Sequence, residues 1–209
     1  MLENYSKNND GVIYQINKTP IIYDEEYVRL RYDSYGELTN YMSHLRLGYV
    51  LGIVKDKINS ILDVGYGNGS FLKVCQKTIP NCYGFDITDY EKPDGVKFVQ
   101  DWINSDVDVT TFFDVLEHLE DPYILKNLNT KYLIISLPWC HYENDEWFQN
   151  WKHRRPDEHL WHFDEKSVVN FAKSIGFDVI NITNIEDNIR GTLNNRENIL
   201  TVGLKNNRL

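Results

Sequence analysis

Three glycines spaced two apart, Gly65, Gly67 and Gly69, separate an apolar run from a helix start in Ile61-Leu-Asp-Val-Gly-Tyr-Gly-Asn-Gly-Ser-Phe-Leu72. Glycine lets the chain turn tightly and lets a ligand lie against the backbone with no Cβ in the way. The helix start offers unpaired N–H groups and a positive dipole end, suited to an anionic ligand group. The spacing is G-x-G-x-G, not the dinucleotide pattern G-x-G-x-x-G. Asp86 ends the run Tyr83-Gly-Phe-Asp86, about 20 residues after the turn, where an acidic residue can accept hydrogen bonds from ribose hydroxyls. Asp101 and Trp102 follow the next short apolar run. That pair suits an adenine amino group and ring face, though Trp102 serves equally well as core.

A second group of reactive side chains lies downstream. His141, His153, His159 and His162 crowd one stretch beside Cys140, but their spacing matches no standard zinc pattern, so no metal ligands are assigned. His118 faces either a pocket or the turn at Asp121-Pro122. Lys152-His153-Arg154-Arg155 is a local basic stretch that meets an anionic substrate or forms a solvated loop paired with Asp157 and Glu158. Trp139, Trp147, Trp151 and Trp161 gather in the same region, as a satellite core or as a wall that excludes water from an acceptor.

These groups need a scaffold. Residues 1–10 are polar and read as a frayed end. Val12–Ile16 and Ile21–Tyr23 flank Asn17-Lys-Thr-Pro20 and suggest a short hairpin. From Gly36 to about Lys57, Leu38, Met42, Leu45, Tyr49 and Ile53 recur at steps of three and four, the face of an amphipathic helix. Apolar runs at Ser60–Val64, Cys82–Ile87, Val96–Val99, Val109–Phe113 and Tyr132–Leu137 then alternate with helical segments at Ser70–Thr78 and Asp121–Leu128. A helix at Lys166–Ile175 stops at Gly176. Phe177–Thr183 and Ile199–Leu204 follow as an antiparallel hairpin. The alternation argues a mostly parallel sheet of seven strands, Rossmann-like, with helices on both faces. Residues 1–57 read as an extension whose helix packs over the site. Residues 58–209 read as the main domain, with an insertion at 138–162.

Composition narrows the class. The chain has 209 residues, 42% hydrophobic and 13% aromatic, enough for one packed domain. No run approaches the roughly 18 apolar residues of a membrane helix, so no membrane partner is expected. The N-terminus lacks the apolar segment of a signal peptide. Cys75, Cys82 and Cys140 are odd in number and read as reduced thiols. The expectation is a cytoplasmic protein. A net charge of −9 disfavours broad attachment to a phosphate backbone, which makes a nucleic-acid partner unlikely.

The segment Asp63–Leu72 resembles motif I of class I S-adenosylmethionine-dependent methyltransferases. Phe112-Phe-Asp-Val-Leu-Glu-His-Leu-Glu-Asp-Pro122 resembles their fourth-strand motif in shortened form. Glu158-His-Leu-Trp-His-Phe-Asp-Glu-Lys-Ser167, with Gly176-Phe177, is similar to a stretch of the ubiquinone-type and sugar-modifying branch. Tyr66 departs from the small residue or cysteine common at its position, and no N-P-P-[YF] follows the fourth strand, unlike the amino-methylating branches. The resemblance implies S-adenosylmethionine as cofactor, held by Asp63, Gly65, Tyr66, Gly67, Gly69, Asp86, Ile87, Asp101, Trp102 and Asp114. The implied reaction is methyl transfer to a small-molecule or sugar-like acceptor, with oxygen favoured. His159 is the first candidate for a general base and His118 the second. Arg46, Trp139, Arg154 and Arg155 are candidate substrate contacts, and the two loop arginines favour an acceptor with an anionic group. The alternatives are a nucleic-acid or nucleotide methyltransferase, or a non-catalytic cofactor-binding domain acting as a partner subunit.

Overall fold

The computed structural model describes residues 2–19, 36–88 and 92–209. Two short strands, β1 (Tyr5–Lys7) and β2 (Ile13–Gln15), precede helix α1 (Leu38–Ile53). The main sheet begins with β3 (Ser60–Val64), α2 (Ser70–Cys75), β4 (Asn81–Phe85), β5 (Lys97–Phe98) and β6 (Asp106–Phe113). After 3-10 turns at Leu116–His118 and Pro122–Asn127 come β7 (Asn129–Pro138), α3 (Asp145–Asn150) and β8 (Trp161–His162). The chain closes with α4 (Glu165–Ser174), β9 (Phe177–Thr183), α5 (Asp187–Arg190) and β10 (Ile199–Asn206).

The seven-stranded sheet has the order β5-β4-β3-β6-β7-β10-β9. The first five of these strands are parallel. β10 inserts antiparallel to both β7 and β9, giving the expected antiparallel C-terminal pair. Neighbouring residues of β3 point to opposite faces, yet Ile61 and Leu62 are both fully buried. Each face is covered, as a parallel sheet requires. On one side Leu62, Phe112, Leu133 and Ile135 pack with Val168 and Phe171 of α4. On the other, Ile61, Val109 and Ile134 pack with Leu47 and Val50 of α1 and Phe71 and Leu72 of α2. Each such large apolar side chain stabilises the fold by roughly 1.5–3 kcal/mol on burial. Asp164 and Ser167 cap the start of α4 reciprocally, which fixes where that helix begins.

The N-terminal region departs from the sequence reading. Tyr5–Lys7 is not frayed but forms a strand, pairing Tyr5 with Gln15 and Lys7 with Ile13. The hairpin therefore joins β1 to β2, and β2 also pairs with β8; residues 21–23 lie outside the described residues. The physical reason is a turn in which Asn8 Oδ1 accepts from the N–H groups of Asp10 and Val12, with Gly11 at φ +87°. Tyr5 then buries its ring edge-on against Phe148, 5.1 Å between centroids. The buried stripe of α1 also shifts. It runs through Ser43, Leu47, Tyr49 and Val50, sharing Tyr49 with the expected face, while Leu38 stays 47% exposed. Among the described residues, no helix is long and apolar enough to cross a membrane.

Candidate active site

The chain runs β3-β4-β5 toward one edge of the sheet and then returns to place β6 on the other side of β3. The strand order therefore reverses between β3 and β6, and ligands of open α/β sheets bind outside the carboxyl ends of strands at such a switch point. The loop after β3 is the glycine turn. Gly65, Gly67 and Gly69 take φ of +75°, +53° and +70°, values that side-chain-bearing residues rarely adopt. A Cβ on Gly65 would come within 2.4 Å of Val115 Cγ2, so the glycine turn packs directly against the chain leaving β6. Across from it, Asp86 Oδ2 accepts from the Gly67 N–H at 2.9 Å. Its other oxygen accepts from the Thr88 N–H and hydroxyl. Ile87, next in the chain, is 74% exposed.

Asp63, at the end of β3, is buried and accepts from the Thr111 hydroxyl at 2.6 Å. The register that pairs Asp63 with Thr111 across β3 and β6 makes that bond. Burial pushes its carboxyl up to about 7, with Thr111 and Arg46 opposing. A cationic ligand nearby would favour its ionised form.

A charged quartet closes the β6 side. Asp114 has φ +59° and pairs with Arg46 at 2.9 Å and with Arg190. Arg46 Nε donates to Glu186 Oε1 at 2.8 Å, and Arg190 Nε pairs with Glu186 Oε2 at 2.9 Å. Glu186 is 1% exposed. The Arg46 guanidinium also lies 4.3 Å over the Phe113 ring. Burial alone would raise Asp114, but Arg190 and Arg46 outweigh it and hold its carboxyl well below the usual range.

A third group sits beside this quartet. The rings of His118 and His159 meet edge-on, 4.7 Å between centroids, and Glu117 lies against them fully buried. The Leu160 N–H donates to the Glu117 carbonyl at 2.7 Å, tying the loop before β8 to the turn after β6. Burial, then the charges of His118, Arg155 and His162, lower His159 to about 2. Burial, with Asp114 adding, raises Glu117 well above its ordinary value.

The family described as "Methyltransferase domain" matches residues 30–182, a span that holds the glycine turn, Asp86, Asp114 and the Glu117–His118 turn. The chain belongs to this methyltransferase family. Solved structures share its class I fold. A chain from the complex between the Haloferax volcanii Trm112 methyltransferase activator and a methyltransferase is 13% identical, with a TM-score of 0.62 over 88% of this chain and 99% of that one. The 1,6-didemethyltoxoflavin-N1-methyltransferase of Burkholderia thailandensis, solved with its namesake ligand and S-adenosylhomocysteine, is 14% identical, with a TM-score of 0.59 over 97% and 99%. The magnesium protoporphyrin IX methyltransferase of Synechocystis PCC 6803, solved with S-adenosylhomocysteine, is 14% identical, with a TM-score of 0.54 over 91% and 90%. No curated protein sequence matches the chain.

Within this methyltransferase the sequence-derived candidates divide. Asp63, Gly65, Gly67, Gly69, Asp86 and Ile87 come together at the switch point, with Asp114 and Arg46 beside them. Tyr66 contributes backbone there, but its ring turns into the core, 5.0 Å from Phe98. Asp101 is exposed and caps its own loop, accepting from the Ile103 and Asn104 N–H groups. Trp102 packs edge-on against Phe112 at 5.4 Å. Arg154 lies over the Tyr5 ring, whereas Arg155 pairs with Glu158 at 3.0 Å and acts electrostatically on both Glu117 and His159. Trp139 stacks on His141 at 5.5 Å and lines an open cavity of about 820 Å³ with Tyr142, Asp164 and Arg196, apart from the quartet. Glu186, Arg190 and Thr111 were missed; the only local signal was the i,i+4 spacing of Glu186 and Arg190.

The satellite core holds a further titratable group. His162 is buried among Tyr5, Phe148 and Trp151, and burial, with Arg154 and His153 adding, lowers it to about 3. The unfolded chain takes up that proton near pH 6.5, so this contribution to stability is full above that value and is lost as pH falls toward 3. His162→Gln takes up no proton. Its melting-temperature deficit against wild type should therefore narrow between pH 7 and pH 4. Parallel melting profiles across that range would contradict a neutral, buried His162.

Proposed function

We propose that this methyltransferase moves a methyl group from S-adenosylmethionine to an oxygen atom of a small-molecule acceptor that carries an anionic group. The observation that supports it most is at the switch point, where the Gly67 N–H and the Asp86 carboxylate are held 2.9 Å apart. A nucleoside seated there would lie against bare backbone with Asp86 at its ribose hydroxyls. Asp63 and Asp86 favour a donor that carries a sulfonium and an ammonium. Methyl transfer from a sulfonium then needs mainly alignment and exclusion of water. Arg155 and Arg190 act electrostatically on Lys152, and with Arg155 paired to Glu158 and Arg190 to Asp114 and Glu186, Lys152 is the cation that supports an anionic acceptor. His159 and His118 are the candidate groups at the acceptor. The low proton affinity of His159 makes it better suited to accepting a hydrogen bond than to holding a proton through turnover.

Calorimetry with S-adenosylhomocysteine tests the donor half. Asp86→Ala should weaken binding by about 1–3 kcal/mol, the cost of lost charge-assisted hydrogen bonds. Unchanged affinity would return Asp86 to the role of a loop cap. Labelled S-adenosylmethionine offered with hydroxy acids, amines and RNA tests the acceptor half, and transfer confined to amines or RNA would overturn it.

A further inference from the structure

We propose that Glu117, His118 and His159 form a binding site for one divalent transition-metal ion at the edge of the active-site crevice; the inference rests on the methyltransferase reading for its role but not for its existence. Glu117 and His118 are neighbours on the 3-10 turn after β6, and His159 arrives on the loop before β8, about forty residues later in the chain. Each offers one ligand atom, and the three atoms lie within 4.8 Å of one another. Donors bound to one ion at about 2.0–2.2 Å stand roughly 3–4 Å apart, so small side-chain rotations complete the set.

Two further features point to a cation. Glu117 is 1% exposed, and its Oε2 has no hydrogen-bond partner among the described residues. A buried carboxylate oxygen with no donor is costly and calls for an explanation, of which a bound ion is one. The tautomer of His159 fits as well. Its Nδ1 lies 2.8 Å from the His153 carbonyl oxygen, and a carbonyl only accepts, so Nδ1 carries the proton and Nε2 keeps its lone pair. A ligating histidine ordinarily donates its other ring N–H to a carbonyl or carboxylate in this way. The two ligand-bearing segments are also fixed to each other by the Leu160 N–H to Glu117 carbonyl bond at 2.7 Å.

Asp114, two residues from the 3-10 turn, does not join the set, because Arg46 and Arg190 hold it. Two imidazoles and one carboxylate favour zinc, iron(II), manganese or cobalt over magnesium or calcium, and such a set leaves coordination positions open. With the ion bound, His159 Nε2 is a ligand instead of a hydrogen-bond acceptor, and the open positions take the acceptor's oxygen atoms in its place, which deepens the preference for an oxygen-bearing, anionic substrate.

The test titrates metal-stripped protein with Co2+, reading the visible ligand-field bands and the stoichiometry, with Zn2+ as competitor. S-adenosylhomocysteine affinity is measured on the same samples. The wild-type chain should take up one Co2+ that Zn2+ displaces. Glu117→Gln, His118→Gln and His159→Gln should each weaken it on the order of tenfold or more while keeping S-adenosylhomocysteine affinity. His118 is the most exposed of the three, so its variant keeps the test open if a buried one misfolds. Absence of stoichiometric Co2+ in protein that binds S-adenosylhomocysteine would overturn the site, as would variants that bind Co2+ as well as wild type. Co2+ uptake at these residues without S-adenosylhomocysteine binding would uphold the ion site and sink the methyltransferase role assigned beside it.

Discussion

Gly67→Val is expected to abolish the rise in melting temperature that S-adenosylhomocysteine gives the wild-type protein. A ligand that binds only the folded state, present at about a hundred times its dissociation constant, stabilises by about 2.7 kcal/mol. For a domain of this length that corresponds to a shift of roughly 5–10 °C. Gly67 sits at φ +53°, where a β-branched side chain is strained. Its N–H is the group that holds Asp86 Oδ2 at 2.9 Å. Valine there both disturbs that bond and places atoms on the face of the turn where bare backbone should meet the donor. The quantity to read is the ligand-induced shift, not the absolute melting temperature, because strain lowers the latter by itself. A folded variant that responds as strongly as wild type would remove the donor site from the glycine turn.

Arg46→Met should produce the largest loss of stability of any single change around the crevice. Glu186 is 1% exposed and is held by Arg46 at 2.8 Å and Arg190 at 2.9 Å. Removing one partner of a buried pair leaves a poorly compensated charge and costs about 3–5 kcal/mol, or on the order of 10 °C. Glu186→Gln made on top of Arg46→Met should restore part of the loss, and a double-mutant cycle measures the coupling. A deficit below about 1 kcal/mol, with no coupling, would show that the quartet behaves like solvated surface pairs. The result bears on function as well as stability. Arg46 reaches from α1 to Asp114 and Glu186 and so ties the helix, packed on one face of the sheet, to the chain leaving β6. Its loss should loosen the attachment of α1 to the chain leaving β6 and, on the function proposed above, lower turnover more than S-adenosylhomocysteine affinity.

The glycine turn and its bond to Asp86 were legible in the residues because they are local chemistry. Positive φ at Gly65, Gly67 and Gly69 is demanded by a turn only a few residues long, and glycine is the residue that meets the demand at no steric cost. Asp86 stands at a fixed offset because one strand-turn-helix-strand unit has a nearly fixed length. Strand alternation carried the sheet, since the central runs of β3, β6 and β7 are buried on both faces by their neighbours. Asp101 and Trp102 were less informative. An exposed aspartate that caps its own turn and one that holds a ligand look alike in sequence, as do a core tryptophan and a ring-stacking one. What only the tertiary structure decided are the long-range encounters. Arg46 meets Glu186 across 140 positions, after β10 has inserted between β7 and β9 and set where α5 lies. Tyr5 becomes a strand residue because β8 and α3 arrive to receive it. Glu117 and His159, far apart in the chain, face each other because the loop before β8 is hydrogen-bonded onto the turn after β6. No periodicity or spacing encodes such meetings; they follow from which surfaces remain to be covered once the parallel strands have paired.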